Sequence, residues 1–149
     1  MDTRTKAFYK PTIRYNAFMV LEMLYDNARL TQRKLCEKLS LSVSTVNSYL
    51  DELEEEGFLR RERHSSKKVY YYLTREGVKH KNHLKIHYFK SLRQMYNKAR
   101  MDVLEFLDDI IEDTPCNLVL YGAGEVAELI LQVIKDEKDS DINIVAVLD

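Results

Sequence analysis

The amino-acid sequence predicts an α+β protein of 149 residues. Within residues 13–74, short runs with apolar residues at helical spacing precede two strand-like runs. Residues 76–113 contain no proline and keep one apolar stripe, which predicts a single long helix. Beyond this helix, two apolar runs flank a glycine turn and an amphipathic stretch, which is the pattern of a βαβ unit.

The N-terminal part is expected to hold three helices. Ile13 opens a run of apolar residues at helical spacing that ends near Asn27. Thr31 and Ser42 can cap the first turns of a second and a third helix, and Gly57 can end the third. The third helix is expected to bury one side, which is formed by Val43, Val46, Leu50 and Leu53.

A hairpin follows these helices. Residues 58–63 and 68–74 are strand-like and are separated by a polar tip. Tyr71 should share a side with Val69 and Leu73, because side chains alternate along a strand. Three helices followed by a hairpin predict a winged helix-turn-helix, a module that places one helix in the major groove of DNA.

The polar side of the third helix is the predicted DNA-reading surface. Its short hydrogen-bonding side chains lie near the helix N-terminus, the end that meets base edges, and the hairpin adds cations for phosphates or the minor groove. The predicted DNA contacts are Gln32, Ser42, Ser44, Thr45, Asn47, Ser48, Arg61, Arg63, Lys67 and Lys68. Acidic residues within 51–56 would repel phosphate, so only the first two turns should enter the groove. The alternative is an ordinary solvated face.

Charge is distributed unevenly along the chain, although the formal net charge is -1. Residues 58–100 carry 13 Lys and Arg against 2 Asp and Glu, whereas residues 101–149 carry 2 against 13. A basic block that begins at the hairpin is typical of a protein that neutralises phosphates. A solvated charged helix is the alternative for the part beyond the hairpin.

The long helix has an apolar stripe that a small domain can hardly bury alone. The stripe runs through Leu84, Tyr88, Leu92, Met95, Ala99, Val103, Phe106 and Ile110. We therefore expect a homodimer whose interface contains Leu92, Met95, Ala99, Val103 and Phe106. Antiparallel pairing would also bring the basic first part of one helix beside the acidic second part of the other. The alternative is a stripe that folds back within one chain.

His80, His83 and His87 share one face of this helix, at a spacing that could hold a metal ion. Neighbouring lysines disfavour a cation there, and no carboxylate or thiol lies close in the sequence. We therefore predict no metal site. Cys36 and Cys116 are predicted to be reduced core residues, because they lie far apart and in no C-x-x-C pair.

The C-terminal segment carries a nucleotide-binding pattern. Gly122 and Gly124 stand in a G-x-G-x-x-A turn between a strand and a helix, and Asp149 closes the next strand. Glu125 would repel a pyrophosphate, and two parallel strands are too few for a stable nucleotide fold. We therefore expect an incomplete Rossmann-like unit with no cofactor. A nucleotide or nucleotide-sugar effector is expected only in a longer form.

Several motifs of the chain are shared with one family of regulators. They are Q-R-K-L-C-E-K-L and S-V-S-T-V-N-S-Y-L in the helices, G-F-L after them, and Y-Y-Y-L-T-R-E-G followed by K-x-x-L-x-x-x-x-F. By these motifs residues 32–107 resemble the multiple-antibiotic-resistance-regulator (MarR) type, and more closely its branch associated with exopolysaccharide gene clusters. The resemblance implies base-facing roles for Ser44, Thr45 and Ser48 and a dimerising role for the long helix.

The chain departs from the family pattern at two places. Alanine is usual where the chain has Cys36, and a turn glycine is common where it has Ser40. A left-handed serine would cost about 1 kcal/mol. The segment Y-G-A-G-E-V-A-E is similar to the opening of Rossmann-like domains in nucleotide-sugar proteins.

The sequence thus predicts a winged helix-turn-helix over residues 1–75, a long dimerisation helix over residues 76–114 and an incomplete Rossmann-like βαβ unit over residues 115–149. We expect a dimeric regulator of transcription that binds double-stranded DNA, with polysaccharide genes as candidate targets. Neither a signal segment nor a membrane span is indicated, so a cytoplasmic protein is expected. The alternatives are a nucleotide-sugar or NAD-dependent enzyme with an appended winged helix, and a protein-binding winged helix. We expect no catalysis, because no nucleophile with a base and no paired carboxylates are evident.

Overall fold

The structure, a computed structural model, describes residues 12–65, 68–111, 115–122, 124–137 and 141–148. Its elements are α1 (Ile13–Asp26), α2 (Gln32–Leu39), α3 (Val43–Glu55), β1 (Leu59–Ser65), β2 (Lys68–Leu73), α4 (Arg75–Ile110), β3 (Cys116–Tyr121), α5 (Glu125–Asp136) and β4 (Ile142–Leu148). The predicted α+β class and order of elements are confirmed. The chain divides into two compact units, residues 1–90 and 91–149, so the boundary falls inside α4.

The core of the first unit joins α1, α2, α3 and the hairpin. Leu21, Leu35 and Leu50 contribute one fully buried side chain from each of the three helices. Strands β1 and β2 pair antiparallel, and Tyr71 of β2 is buried in the same core. Val69 and Leu73 pack against it, so the predicted inner face of β2 is confirmed.

Helix α3 buries most of its predicted apolar side. Val46, Leu50 and Leu53 are buried, and Tyr49 joins them in the core. The prediction for Val43 is wrong, since this residue is 56% exposed. Val43 is the first residue of α3 and lies one turn before the residues that reach the core.

The predicted N-caps of α2 and α3 are confirmed. Thr31 Oγ1 accepts a hydrogen bond from the amide of Lys34 at 3.3 Å, and Ser42 Oγ accepts one from the amide of Thr45 at 3.1 Å. Between the two helices, Ser40 is left-handed, with φ 54 and ψ 39. Serine therefore occupies a turn position that glycine adopts without a steric cost.

Replacing Ser40 by glycine should stabilise the first unit. The left-handed conformation costs a residue with a Cβ about 1 kcal/mol, and the greater entropy of unfolded glycine offsets part of that gain. Urea unfolding should show an increase in the free energy of unfolding of up to about 1 kcal/mol. The Ser40→Ala variant keeps the strain and is the matched control. A glycine variant less stable than the alanine variant would contradict the argument.

Helix α3 ends in a Schellman motif. Gly57 has φ 75 and donates its amide hydrogen to the Glu54 carbonyl at 3.0 Å, and Phe58 donates to the Leu53 carbonyl at 2.9 Å. The glycine allows the left-handed step that turns the chain out of the helix and into β1. Gly57 thus ends α3 as predicted.

The start of α4 is fixed to this helix end by Thr74. Its hydroxyl donates to the Gly57 carbonyl at 2.7 Å and accepts from the amide of Gly77 at 3.0 Å, while its own amide donates to the Phe58 carbonyl at 3.0 Å. A Cβ on Gly77 would lie 1.9 Å from the Phe58 oxygen. The T-x-x-G sequence after the hairpin therefore combines a helix cap with a close backbone approach.

Helices α1 and α4 are joined by an ion pair between a buried lysine and a partly buried glutamate. Lys81 is only 5% exposed, and its Nζ donates to Glu22 Oε1 at 2.9 Å. Lys85 donates to the same carboxylate at 3.3 Å, and the ring of Tyr25 lies 4.1 Å from the Lys81 ammonium. The hydrogen bond from Lys81 lowers the pKa of Glu22, with Lys85 adding to the effect against partial desolvation.

The second unit contains a βαβ arrangement. Strands β3 and β4 pair in parallel with α5 between them in sequence, which confirms the predicted element order. Leu107 and Val133 are its most buried apolar residues, whereas Val119 and Tyr121 on one face of β3 are exposed. Cys116 in β3 is a free thiol, as is Cys36 beside the core of the first unit.

Candidate nucleic-acid interface

The first turn of α3 presents a group of hydroxyls. Ser42 Oγ lies 2.9 Å from Ser44 Oγ and 2.7 Å from Thr45 Oγ1, in addition to capping the helix. Ser42 and Ser44 are exposed and Thr45 is half-buried. These side chains surround the amides of the helix N-terminus, an arrangement that favours an anionic oxygen.

The second turn of α3 adds Ser48 and Asn47. Ser48 is exposed and donates its hydroxyl hydrogen to the Ser44 carbonyl at 3.1 Å, so its oxygen lone pairs face solvent as acceptors. Asn47 is half-buried, and its Oδ1 has no hydrogen-bond partner among the described residues. The structure thus brings Ser44 and Ser48 to the surface one turn apart, with Thr45 and Asn47 at the flanks.

Gln32, a predicted phosphate contact, is half-buried at the start of α2. Its side chain lies near Tyr71 of the hairpin. Burial raises the pKa of the Tyr71 hydroxyl, and the nearby Gln32 side chain opposes that rise. Gln32 thus faces the hairpin from the start of α2.

Arg61 lies on the inner face of the hairpin. It stands opposite Tyr71 in the β1–β2 register, and its side chain is 29% exposed. Its guanidinium pairs with Asp51, and its Nε lies 3.3 Å from Glu54 Oε2. Arg61 therefore pairs with two carboxylates of the second half of α3 and offsets one of their two charges, in the part of the helix that would repel phosphate most strongly.

The outer part of the hairpin carries the exposed cations. Arg63 and Lys68 are exposed, as is Arg60, whose side chain is 70% exposed and lies 3.8 Å from Glu62. The sequence interpretation missed Arg60 and selected its neighbour Arg61. The two-residue period of the strand could have separated them, because Arg61 shares the side of the buried Tyr71. Lys67, the remaining predicted wing contact, lies outside the described residues.

The predicted dimer residues differ in their exposure. Leu92, Met95 and Phe106 are 43%, 46% and 54% exposed. Ala99 and Val103, in the same stripe, are half-buried. Among the described residues, no helix is long and apolar enough to cross a membrane.

The predicted nucleotide turn is described only in part. Gly122 has φ 98 and follows β3, and Gly124 is the N-cap position of α5 without a side-chain cap. A Cβ at either glycine would meet no atom within 4 Å, so neither glycine is required by packing. Asp149 lies outside the described residues.

The comparisons with known proteins agree with the arrangement of α1, α2, α3 and the hairpin. A family model described as winged helix-turn-helix DNA-binding matches residues 13–60. The chain carries a winged helix-turn-helix domain. In this winged helix, α3 occupies the position of the recognition helix and β1 and β2 form the wing. No curated protein sequence matches the chain.

Solved structures share the fold of the winged helix. A MarR-family transcriptional regulator from Rhodococcus sp. RHA1 is 22% identical, with 62% of this chain and 68% of that chain covered and a TM-score of 0.50. BldR from Sulfolobus solfataricus is 23% identical over 64% and 71%, with a TM-score of 0.50. PcaV from Streptomyces coelicolor, solved with its natural ligand, is 20% identical over 68% and 77%, with a TM-score of 0.52. The structural similarity shows a shared fold, and at these low sequence identities it does not show a shared function.

Proposed function

We propose that this chain is a sequence-specific regulator of transcription that binds double-stranded DNA as a homodimer. One observation carries the proposal. Exposed hydroxyls cover the first two turns of α3, while Arg61 pairs with Asp51 and Glu54 in the acidic half of the same helix. A helix with this polarity can enter the major groove by its N-terminal half, while its acidic C-terminal half stays outside the groove.

Ser44 and Ser48 are the proposed base readers. They are exposed one turn apart on the recognition helix, and serine can donate to or accept from a base edge. Ser48 already donates to the Ser44 carbonyl, so its oxygen is suited to accept from adenine N6 or cytosine N4. Thr45 and Asn47 are proposed as flanking contacts, and Ser42 with the first amides of α3 as a phosphate contact.

The wing is the proposed second contact with phosphate. Arg60, Arg63 and Lys68 are exposed there and can neutralise the DNA backbone without reading sequence. Lys67 belongs to the same proposal by its position in the sequence. We assign Arg61 and Gln32 to positioning roles, since their side chains are engaged with α3 carboxylates and with Tyr71.

Binding experiments on selected and random duplexes separate these roles. We expect Ser44→Ala and Ser48→Ala each to reduce discrimination between the selected site and random DNA, at about 1 to 3 kcal/mol per lost base contact. Lys68→Ala should weaken binding to both duplexes and lower the slope of log K against log salt by about one unit. Ser91→Ala, an exposed serine on α4, is the matched control. Equal losses on both duplexes for the serine variants would count against base reading.

The proposed dimer interface is the apolar stripe of α4. Leu92, Met95 and Phe106 leave large apolar surfaces exposed on one chain, in line with Ala99 and Val103. Burial of such surfaces against a second copy would supply the association energy. Two recognition helices would then reach successive major grooves, with half-sites about 10 bp apart or a multiple of that distance.

Charged residues in the stripe should give monomers. A chain with both Leu92→Glu and Val103→Glu would place uncompensated carboxylates in the proposed apolar interface, which is strongly unfavourable. We expect sedimentation to show a monomer that keeps its winged-helix circular dichroism and loses most of its affinity for a two-fold site. Gln94→Glu, an exposed position of α4, serves as the control. A dimer that survives both substitutions would place the interface elsewhere.

Polysaccharide genes are the proposed targets, because the motifs of the recognition helix and wing resemble regulators of such gene clusters. Selection of bound genomic fragments tests this proposal directly. A set of bound sites with no relation to sugar metabolism would contradict it while leaving DNA binding intact. A nucleotide or nucleotide-sugar effector remains a proposal for a longer form of the chain.

A further inference from the structure

A cavity of about 640 Å³ opens in the first unit between α1, α3 and α4. The charged and titratable side chains that line it are Arg14 of α1, Glu52 and Glu56 of α3, and His80, His83 and His87 of α4. Three imidazoles and two carboxylates thus line the same cavity. This concentration of ligand-type side chains is not needed by the DNA interface, which uses the opposite end of α3.

Two of the histidines are arranged as a pair. His83 Nε2 and His87 Nε2 are 3.0 Å apart, on successive turns of α4. Two imidazoles bound to one metal ion at about 2.1 Å each would have their nitrogens about 3.0 Å apart at a right angle and about 3.4 Å apart at a tetrahedral angle. The two nitrogens lie within hydrogen-bond distance of each other, and the same separation fits two neighbouring positions around one ion, which would replace the hydrogen between them.

The nearby lysines oppose a cation less than the sequence suggests. Lys81 and Lys85 share the carboxylate of Glu22 of α1, and Lys79 pairs with Glu76 at 2.7 Å, so two carboxylates offset two of these three charges. Arg14 and Lys90 are the cations that act on His87. The positive charge near the pair is therefore lower than the run of lysines in the sequence implies.

Carboxylates that are distant in sequence lie on the opposite wall. Glu52 and Glu56 of α3 line the same cavity as the histidines, and Glu56 acts electrostatically on His80. Their negative charge favours a cation in the cavity. The folding of α3 against α4 thus supplies the acidic side chains that the sequence around the histidines lacks.

The third imidazole of the cavity has a packing contact of its own. His80 stacks on Phe58 with ring centres 4.1 Å apart. His80 is therefore occupied by packing, and His83 and His87 are the pair with exposed rings.

We propose that His83 and His87 bind one divalent transition-metal ion of the zinc, nickel and copper class through their Nε2 atoms. Imidazole nitrogen suits these ions, whereas magnesium and calcium require oxygen ligands. No three His, Cys, Asp or Glu side chains converge closely enough to hold an ion within the part of the chain that the structure describes. The protein therefore supplies two ligands, and water completes the coordination.

Calorimetric titration of the untagged 149-residue protein with Ni²⁺ and with Zn²⁺ tests the site. We expect one ion per chain and no response to Mg²⁺. Loss of an outer-shell partner already weakens metal binding about 10- to 100-fold, so His83→Gln and His87→Gln should each weaken it at least about tenfold. His64→Gln, on the wing beside Glu62 at 3.3 Å, is the matched control and should bind as the unchanged protein does.

Two results would overturn the proposal. One is the absence of saturable one-to-one binding, and the other is equal affinity of the His83→Gln, His87→Gln and unchanged proteins. Both histidines are exposed, so their variants should unfold at the same urea concentration as the unchanged chain. Nitrogen NMR of the imidazoles gives a second readout, because only Nε2 of His83 and His87 should shift on adding Zn²⁺. The titration contains no DNA, so its outcome is independent of the proposed regulatory function.

Discussion

Replacing Gly77 by alanine should destabilise the first unit by about 3 kcal/mol or more, at the upper end of the range for overpacking. The added Cβ would lie 1.9 Å from the Phe58 carbonyl oxygen, a distance at which atoms overlap. Backbone, unlike a flexible side chain, cannot rotate out of the way. Helix α4 would have to move, and the hydrogen bonds of Thr74 to Gly57 and Gly77 would be strained with it.

Urea unfolding followed by circular dichroism measures this effect. Gly124→Ala is the control, because a Cβ there meets no atom within 4 Å and its backbone φ of -82 suits alanine. The control should lower the free energy of unfolding by at most about 1 kcal/mol, because alanine is a poorer N-cap residue than glycine. A Gly77→Ala protein as stable as the control would show that α4 does not approach Phe58 this closely.

Replacing Glu22 by leucine should cost about 3 kcal/mol, because breaking a buried ion pair leaves the other charge uncompensated. Lys81 would be that charge, at 5% exposure, with the Tyr25 ring as its remaining partner. Adding Lys81→Met should recover most of the loss, since a buried pair can be exchanged for apolar side chains at little cost. Glu37→Leu removes an exposed partner of Arg33 and should cost at most about 1 kcal/mol.

The same pair gives an expected dependence of stability on pH. Hydrogen bonding to Lys81 holds the pKa of Glu22 below its ordinary value of 4.5 in the folded protein. The folded state therefore gains stability from ionised Glu22 above pH 4.5 and loses it as the pH falls through the lowered pKa. As the pH is lowered, the free energy of unfolding should fall less steeply for the Glu22→Leu, Lys81→Met double variant than for the unchanged protein. Parallel curves would contradict the role of the pair.

The sequence predicts helix caps, helix ends and strand faces correctly where residues close in the chain determine them. The caps at Thr31 and Ser42 and the helix end at Gly57 depend on residues within one turn, and they are found as predicted. The inner face of β2 was also predicted, because the alternation of a strand is a local rule. Ser40 adopts the left-handed conformation for which a glycine is better suited.

Ion-pair partners that lie far apart in the sequence could not be predicted from it. The basic neighbourhood of Arg61 predicts a DNA contact, yet the partners of its side chain are Asp51 and Glu54 of α3. The lysines of α4 form one positive run in the sequence, although two of them pair with Glu22 of α1. Charge counts along a sequence cannot show such compensation, since it depends on which helix faces are packed together.

The hydrogen bond from Thr74 to Gly57 has a consequence for how this protein can diversify. This bond closes the base of the wing, so the residues between Gly57 and Thr74 form a loop whose two ends are held together whatever its length. Each doubling of a closed loop costs only about 0.6 kcal/mol in entropy. Insertions at the tip of the hairpin can therefore lengthen the wing while α3 and α4 keep their positions relative to each other. We expect proteins that share this hydrogen bond to vary more in the length of the wing than in the number of residues between the end of α3 and Gly57.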